Sequence, residues 1–246
     1  MAATTRIQLS PAFLLHRTPY RETSALLEVF SEQHGRIGLV ARGLRSARSR
    51  LRGELQPFRP LRLSWNMRGE LGTLSGAEPD GAVGTLEGAA LYSAFYLNEL
   101  LLRLLARQDP HPQLFRHYRR SLERLARGDE VEAVLRVFER DLLEALGYGL
   151  LLEYEAGLER EVQADRYYDY HLEAGPVAVA AADAPGFIVR GSSLLALARG
   201  ELRQPAERRD AKRLMRAALE LYIGERPLRS RELFRAATDS GRQRPP

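Results

Sequence analysis

The stretch Phe58-Arg59-Pro60-Leu61-Arg62-Leu63-Ser64-Trp65 sets the fold of the N-terminal part of the chain. Leu61, Leu63 and Trp65 alternate with Arg62 and Ser64, so a strand here buries one face and wets the other. Upstream of it, short apolar runs broken by glycine or proline predict strands over Ala12–His16, Ser24–Phe30 and Arg36–Ala41. Downstream, Glu70–Leu74 predicts one more, with turn signals at His34-Gly35 and Arg68-Gly69. Five such strands suit a small closed barrel, which leaves no sheet edge exposed.

After Gly84 the period changes. Leu86–Leu105 is apolar on nearly every side but interrupted by Asn98, Glu99 and Arg103, which predicts a buried central helix rather than a membrane segment. Asp109-Pro110-His111-Pro112 ends it. Leu114–Ala126 and Val131–Leu146 predict two further helices, the second capped by Asp129 and closed by Gly147-Tyr148-Gly149. In that helix Val131, Leu135, Phe138, Leu142 and Leu146 form a core-facing stripe. Asp165–Leu172 and Val177–Ala181 flank a Gly-Pro turn and predict a hairpin, and helices resume at Ser193–Arg199, Ala206–Ile223 and Ser230–Ala237. The expected architecture is α+β. A barrel occupies residues 1–80, a mainly helical domain occupies 81–240 with an irregular hairpin segment at 150–190, and 241–246 form a disordered tail.

The 246 residues contain no cysteine, which excludes disulfides, thiolate zinc sites, iron–sulfur clusters and a cysteine nucleophile. No run is apolar enough to span a membrane, and Met1–Ser10 lacks the apolar core of a secretory signal, so a cytoplasmic location is expected. Of 37 basic residues all but Lys212 are arginine. Their placement is uneven: between 36 and 68 nine arginines face the single acid Glu54, a local net of +8. Such a field attracts polyanions.

Catalytic constellations are not apparent. The five histidines, His16, His34, His111, His117 and His171, form no metal-binding helix motif. There is no nucleophile elbow (Gly191-Ser192-Ser193 reads as a helix start) and no phosphate-binding glycine loop. The acid-rich run Glu153–Glu173 holds seven carboxylates against Arg160 and Arg166, but at mixed parity, as on a solvated face rather than a two-metal site. No enzyme activity, cofactor or metal is expected. The positive segment Arg42–Gly53 is more informative: five arginines and two serines between bracketing glycines can fork onto phosphates. If the segment is extended, Arg48, Arg50 and Arg52 project to one side. The competing reading is a solubilising loop. Tyr20, Phe30, Phe58 and Trp65 could stack on bases, although each also suits the core.

Several motifs in order resemble the bacterial recombination mediator family RecO. They are Ala12-Phe13-Leu14-Leu15-His16-Arg17, Pro19-Tyr20-Arg21-Glu22-Thr23-Ser24, and His34-Gly35-Arg36 leading to Leu39-Val40-Ala41-Arg42-Gly43. Leu55-Gln56-Pro57-Phe58, Arg68-Gly69-Glu70-Leu71, Tyr96-Leu97-Asn98-Glu99-Leu100 and Phe138-Glu139 through Leu146-Gly147-Tyr148-Gly149 follow, and Arg226–Phe234 resembles the C-terminal signature. The resemblance implies a five-stranded OB-fold barrel on a helical domain. It implies binding of single- and double-stranded DNA, annealing of complementary strands, and recognition of the acidic C-terminal tail of single-strand-binding protein (SSB). With RecR such proteins help RecA displace SSB from gapped DNA, so RecA is an indirect partner and no membrane is involved. Many relatives carry a four-cysteine zinc site after Gly-Tyr-Gly. This chain resembles the zinc-free branch, with a tyrosine-bearing hairpin at 167–170.

On this reading the DNA contacts are Arg36, Arg42, Arg45, Arg48, Arg50 and Arg52, with Arg62 and Arg68 outlying. Candidates for the SSB tail are Arg209, Lys212, Arg213 and Arg216 on one helical face, with Arg136, Arg229 and Arg231. The alternative there is an exposed helix neutralised by Glu207, Asp210 and Glu220. An RNA-binding module and a metal-dependent nuclease are the competing functional classes.

Overall fold

The structure is a computed structural model that describes residues 5–47, 49–224 and 228–230. Arg48, Arg231, nearly all of the predicted Ser230–Ala237 helix and the tail lie outside the described residues. Strands β1 (Thr5–Tyr20), β2 (Ser24–Ser31), β3 (Gly35–Ala41), β4 (Pro60–Arg68) and β5 (Leu71–Pro79) form a barrel. It closes in the order β1-β2-β3-β5-β4, with β4 returning to β1, the strand order of an OB-fold. Among the barrel strands β3 and β5 pair in parallel and the other neighbours antiparallel.

Strand β1 is much longer than its apolar run because it serves two partners. Its first part registers with β4 and its second with β2, with shifts at Ile7/Ser10 and Leu14/His16. The first part alternates only over Ile7 and Leu9; Ile7 packs on the barrel core, while the register shift between Ile7 and Ser10 leaves Leu9 45% exposed. Further on, β1 is buried on both faces. Ala12 and Leu14 join Leu27, Val29, Leu39, Leu63 and Trp65 in the barrel core. Phe13 faces the other way, 5.3 Å from the ring of Phe115 and 5.0 Å from that of Tyr118. That double burial is why Ala12–Leu15 reads as an unbroken apolar run rather than an alternation.

Phe115 and Tyr118 lie on α3 (Pro112–Ala126), which follows α2 (Gly88–Leu104). Asn98 is 2% exposed; its amide donates to the Leu15 carbonyl at 2.9 Å, and its oxygen accepts from the Tyr118 hydroxyl. The polar interruption of the apolar helix is thus a satisfied buried hydrogen-bonding group. These contacts draw both helices into one compact unit with the barrel, Met1–Arg127 together with Pro227–Pro246, while Gly128–Arg226 forms a second unit. The change of period after Gly84 therefore does not coincide with the boundary between the compact units.

The second unit holds α4 (Val131–Ala145), β6 (Tyr167–His171), β7 (Gly175–Val179), β8 (Ile188–Arg190), α5 (Gly191–Arg199) and α6 (Pro205–Ile223). Gly147 at φ 83 ends α4, with Tyr148 N–H donating to Leu143 O at 2.8 Å and Gly147 N–H to Glu144 O at 3.0 Å. The expected cap is not Asp129: Glu130 occupies that position, with no side-chain capping bond. Likewise α5 starts at Gly191 after Arg190, and the Ser193 hydroxyl donates instead to Asp210 at 2.8 Å. The predicted hairpin is β6–β7; a third strand, β8, completes a sheet of order β7-β6-β8. Among the described residues no helix is long and apolar enough to cross a membrane.

Candidate nucleic-acid interface

Strand register fixes which arginines meet. Tyr20 pairs with Ser24 at the β1–β2 tip, Ala25 with Ala41, and Val40 with Thr73, so the tip, the exit of β3 and part of β5 share one end of the barrel. The positive segment leaves from that end. It is neither extended nor unanchored. Gly43 turns it at φ 66, Leu44 and Leu55 insert into the barrel core, and Leu51–Glu54 form a single helical turn, α1. Arg50 has helical dihedrals, so the expected alternation of Arg48, Arg50 and Arg52 along an extended strand does not hold. The apolar side chains that pin the loop also curl it.

Two hollows open at this end. One, of about 350 Å³, is lined by Arg17, Pro19, Ala25, Leu44, Arg45 and Arg52. The other, of about 500 Å³, is lined by Tyr20, Arg21, Thr23, Arg42, Gly43 and Thr73 among others. Loop and tip are joined: Arg45 N–H donates to Thr23 O at 2.8 Å, and Arg45 Nη1 to Arg21 O at 3.2 Å. Arg42, Arg45, Arg50 and Arg52 are exposed and have no carboxylate partner among the described residues.

The site adds residues that sequence reasoning missed. Arg17 and Arg21 lie outside the basic run from Arg36 to Arg68, yet the hairpin folds them against the loop. A Pro-Tyr-Arg-Glu-Thr sequence between two predicted strands was the available signal. Of the four aromatics, Phe30, Phe58 and Trp65 are buried. Tyr20 is 37% exposed and carries the Arg21 guanidinium 5.2 Å from its ring centre. Of the four it alone presents an exposed ring at this end.

Two expected contacts are committed elsewhere. Arg36 sits 3.7 Å from Glu28 and donates to the Leu102 carbonyl. Burial lowers its pKa, with Arg107 acting in the same direction and Glu28 opposing. Arg62 registers with Pro11, well along β1 from Tyr20, and pairs with Asp80 at 3.0 Å. Arg68 is exposed at the β4–β5 turn, separate from the two hollows.

In the second unit α6 buries Ala211, Leu214, Met215, Ala218 and Leu219 and exposes Arg209, Lys212, Arg213 and Arg216, as the spacing requires. Most of these charges are matched: Lys212 to Glu132 at 2.5 Å, Arg213 to Asp210 at 3.7 Å, Arg216 to Glu220 at 3.0 Å. Arg213 also lies over the Phe187 ring at 4.8 Å and, with Arg190, Tyr167, Ile188 and Ala206, lines a hollow of about 470 Å³. Arg136 is only 8% exposed and donates to Glu139 at 2.6 Å, so it is a structural ion pair. Arg229 belongs to the first unit. There the Glu99 carboxylate accepts from Arg229 N–H and Ser230 N–H, each at 2.9 Å, and from the Ser230 hydroxyl at 2.7 Å. Two motifs far apart in sequence thus form one clasp. Among the described residues no group of three or more carboxylates and histidines is arranged to hold a metal ion.

Comparison with known proteins agrees with this architecture. Residues 6–81 match the family pattern described as Recombination protein O N terminal, and residues 86–232 that described as Recombination protein O C terminal. The chain is 54% identical to the DNA repair protein RecO of Alkalilimnicola ehrlichii over 94% of this chain and 92% of that one. It is 52% identical to the RecO of Nitrosococcus oceani over 93% of each chain, and 48% identical to that of Methylococcus capsulatus over 95% of each.

Proposed function

The chain belongs to the recombination protein O family of DNA repair proteins, and on that premise we propose that it is a strand-annealing mediator whose barrel end binds DNA. The observation that carries this reading is the gathering of Arg17, Arg21, Arg42, Arg45 and Arg52 around two hollows, without carboxylate partners among the described residues and with Tyr20 exposed beside them. Two DNA strands repel each other. Guanidinium groups that fork onto phosphates neutralise both and leave base edges free to pair. The anchored loop holds these groups at low entropic cost, since Leu44, Leu51 and Leu55 already fix its backbone. Tyr20 offers a stacking face to an unpaired base.

In this reading the α6 face takes the acidic C-terminal tail of SSB. Arg209, Lys212 and Arg213 meet the acids, and the hollow beside Phe187 accepts the apolar terminus. RecR then joins to bring RecA onto the exposed strand, in the bacterial cytoplasm. No bond is broken and no nucleotide or metal is consumed, because screening and positioning are the whole of the mechanism. The test is annealing of complementary oligonucleotides, bare and SSB-coated, without nucleotide or metal. Acceleration at modest salt is expected. Strands left apart, or cleaved when magnesium is added, overturn the reading. Stronger binding of single-stranded RNA than DNA would favour an RNA-binding module.

A further inference from the structure

The second unit presents a face of the opposite character. Tyr148, Leu151, Tyr154, Leu158, Val177 and Tyr222 are all more than a third exposed, Leu158 most of all at 56%. They fall into two groups that the chain joins between Tyr148 and Leu151. The Tyr148 and Tyr222 rings stack at 4.0 Å. Leu151 packs against β7, where a Cβ on Gly175 would come within 2.8 Å of its side chain. The Tyr154–Leu158 turn is tied to the same strand by Ala156 N–H donating to Pro176 O at 2.8 Å, and Val177 follows on that strand. β7 is an edge of its sheet. Single exposed apolar residues need no explanation, but a joined set on a soluble surface marks an interaction site.

The rim decides what fits. Residues 153–173 carry seven acids against Arg160 and Arg166, and Glu153, Glu159, Glu161 and Glu173 are exposed. Glu155 is 3% exposed within the Tyr154–Leu158 turn; its nearest cation is Arg160 at 3.8 Å, and its Oε1 has no hydrogen-bond partner among the described residues. At the far end Glu220 is already paired with Arg216. Such a rim repels both nucleic acid and an acidic tail, so neither ligand of the arginine surfaces suits it. We propose that this face docks a cationic amphipathic segment of a partner protein, one that sets arginines or lysines around a few large apolar side chains. The apolar centre supplies buried contact, and the acidic rim supplies steering and register.

The probe is a dye-labelled synthetic helix with arginines on one face and leucine and tryptophan on the other, titrated against the full chain by anisotropy. Two double variants map it: Tyr154→Ser with Leu158→Ser, and Glu153→Gln with Glu159→Gln. Each is expected to weaken the probe by about tenfold, the scale of an interface anchor. The rim variant should also flatten the salt dependence while leaving DNA annealing unchanged. Should the first pair fail to fold, the rim pair and its salt dependence still decide. Unchanged affinity in the rim pair overturns the proposal, as does equal binding of an oligoarginine lacking apolar residues. So does wild-type self-association that the apolar variant abolishes, because the face would then belong to a second copy.

Discussion

The barrel end and the outer face of α6 hold comparable crowds of positive side chains, but only α6 is supplied with carboxylates. Arg213 and Arg216 have acids one helical turn away, and Lys212 reaches Glu132 across to α4. Around the β1–β2 tip and its loop, Arg17, Arg21, Arg42, Arg45 and Arg52 have none among the described residues. Residue counts treat the two alike, yet a paired charge projects little field beyond a Debye length, whereas an unpaired group retains its attraction for phosphate. The extreme of pairing is internal. Arg136 and Glu139 are both buried, so truncating Arg136 takes a charge-assisted hydrogen bond from a buried carboxylate. Arg136→Ala is therefore expected to destabilise the second unit by about 3–5 kcal/mol, read by urea unfolding. A loss below about 1 kcal/mol, typical of exposed pairs, would place it with the α6 surface instead.

Next in size is the barrel end itself. Arg45→Ala, Arg50→Ala and Arg52→Ala combined should lower the salt slope of duplex binding by about 2.7 and of single-strand binding by about 2.1, at ~0.9 and ~0.7 per phosphate contact. Truncating Arg209, Arg213 and Arg216 on α6 should leave both slopes unchanged. Equal effects from the two triples would erase the distinction drawn here, and an unchanged slope in the first would remove the loop from the site.

A third measurement concerns the clasp that closes the barrel unit. Burial works to raise the Glu99 pKa, but hydrogen bonds from the Ser230 N–H, the Ser230 hydroxyl and the Arg229 N–H, aided by the charge of Arg103, outweigh it and hold the group below the ordinary carboxylate value. A depressed folded-state pKa stabilises above the unfolded value and is lost as pH falls through the folded one. Glu99→Gln is expected to cost about 1–3 kcal/mol near neutrality, with the gap to wild type closing in acid, as followed by denaturant melts across pH. A gap that stays constant down to low pH would detach the clasp from titration of this group.

How much of this was legible in the sequence follows from which residues interact locally. The alternation in Leu61–Trp65 and the stripe from Val131 to Leu146 predicted β4 and α4, because the core selects those periods directly. The start of β1 alternates only over Ile7 and Leu9, too short a run to mark a strand, and its place is dictated by pairing with β4. The candidate site was half legible: its loop arginines stand together in the chain, while Arg17, Arg21 and Tyr20 arrive through the hairpin. Arg36 and Arg62 have carboxylate neighbours, Glu28 and Asp80, that lie outside the counted window and meet them only after folding. Pairing is a tertiary property, and a charge count has no access to it.

The smallest expected effect is the one that best separates the two accounts of α6. Glu132 faces Lys212 with both side chains well exposed, so the pair contributes only about 0.2–1 kcal/mol, less at high salt. Glu132→Gln should lower stability by that small amount. If α6 takes an acidic tail, Glu132 competes with that tail for Lys212. Its removal should then raise the affinity of an acidic, apolar-ended peptide, giving opposite signs from one substitution. On a merely solvated helix the same change lowers stability and leaves the peptide's affinity where it was. Calorimetric melts beside peptide titration at low and high salt measure both signs, and the gain in affinity should vanish together with the loss in stability as salt screens the pair.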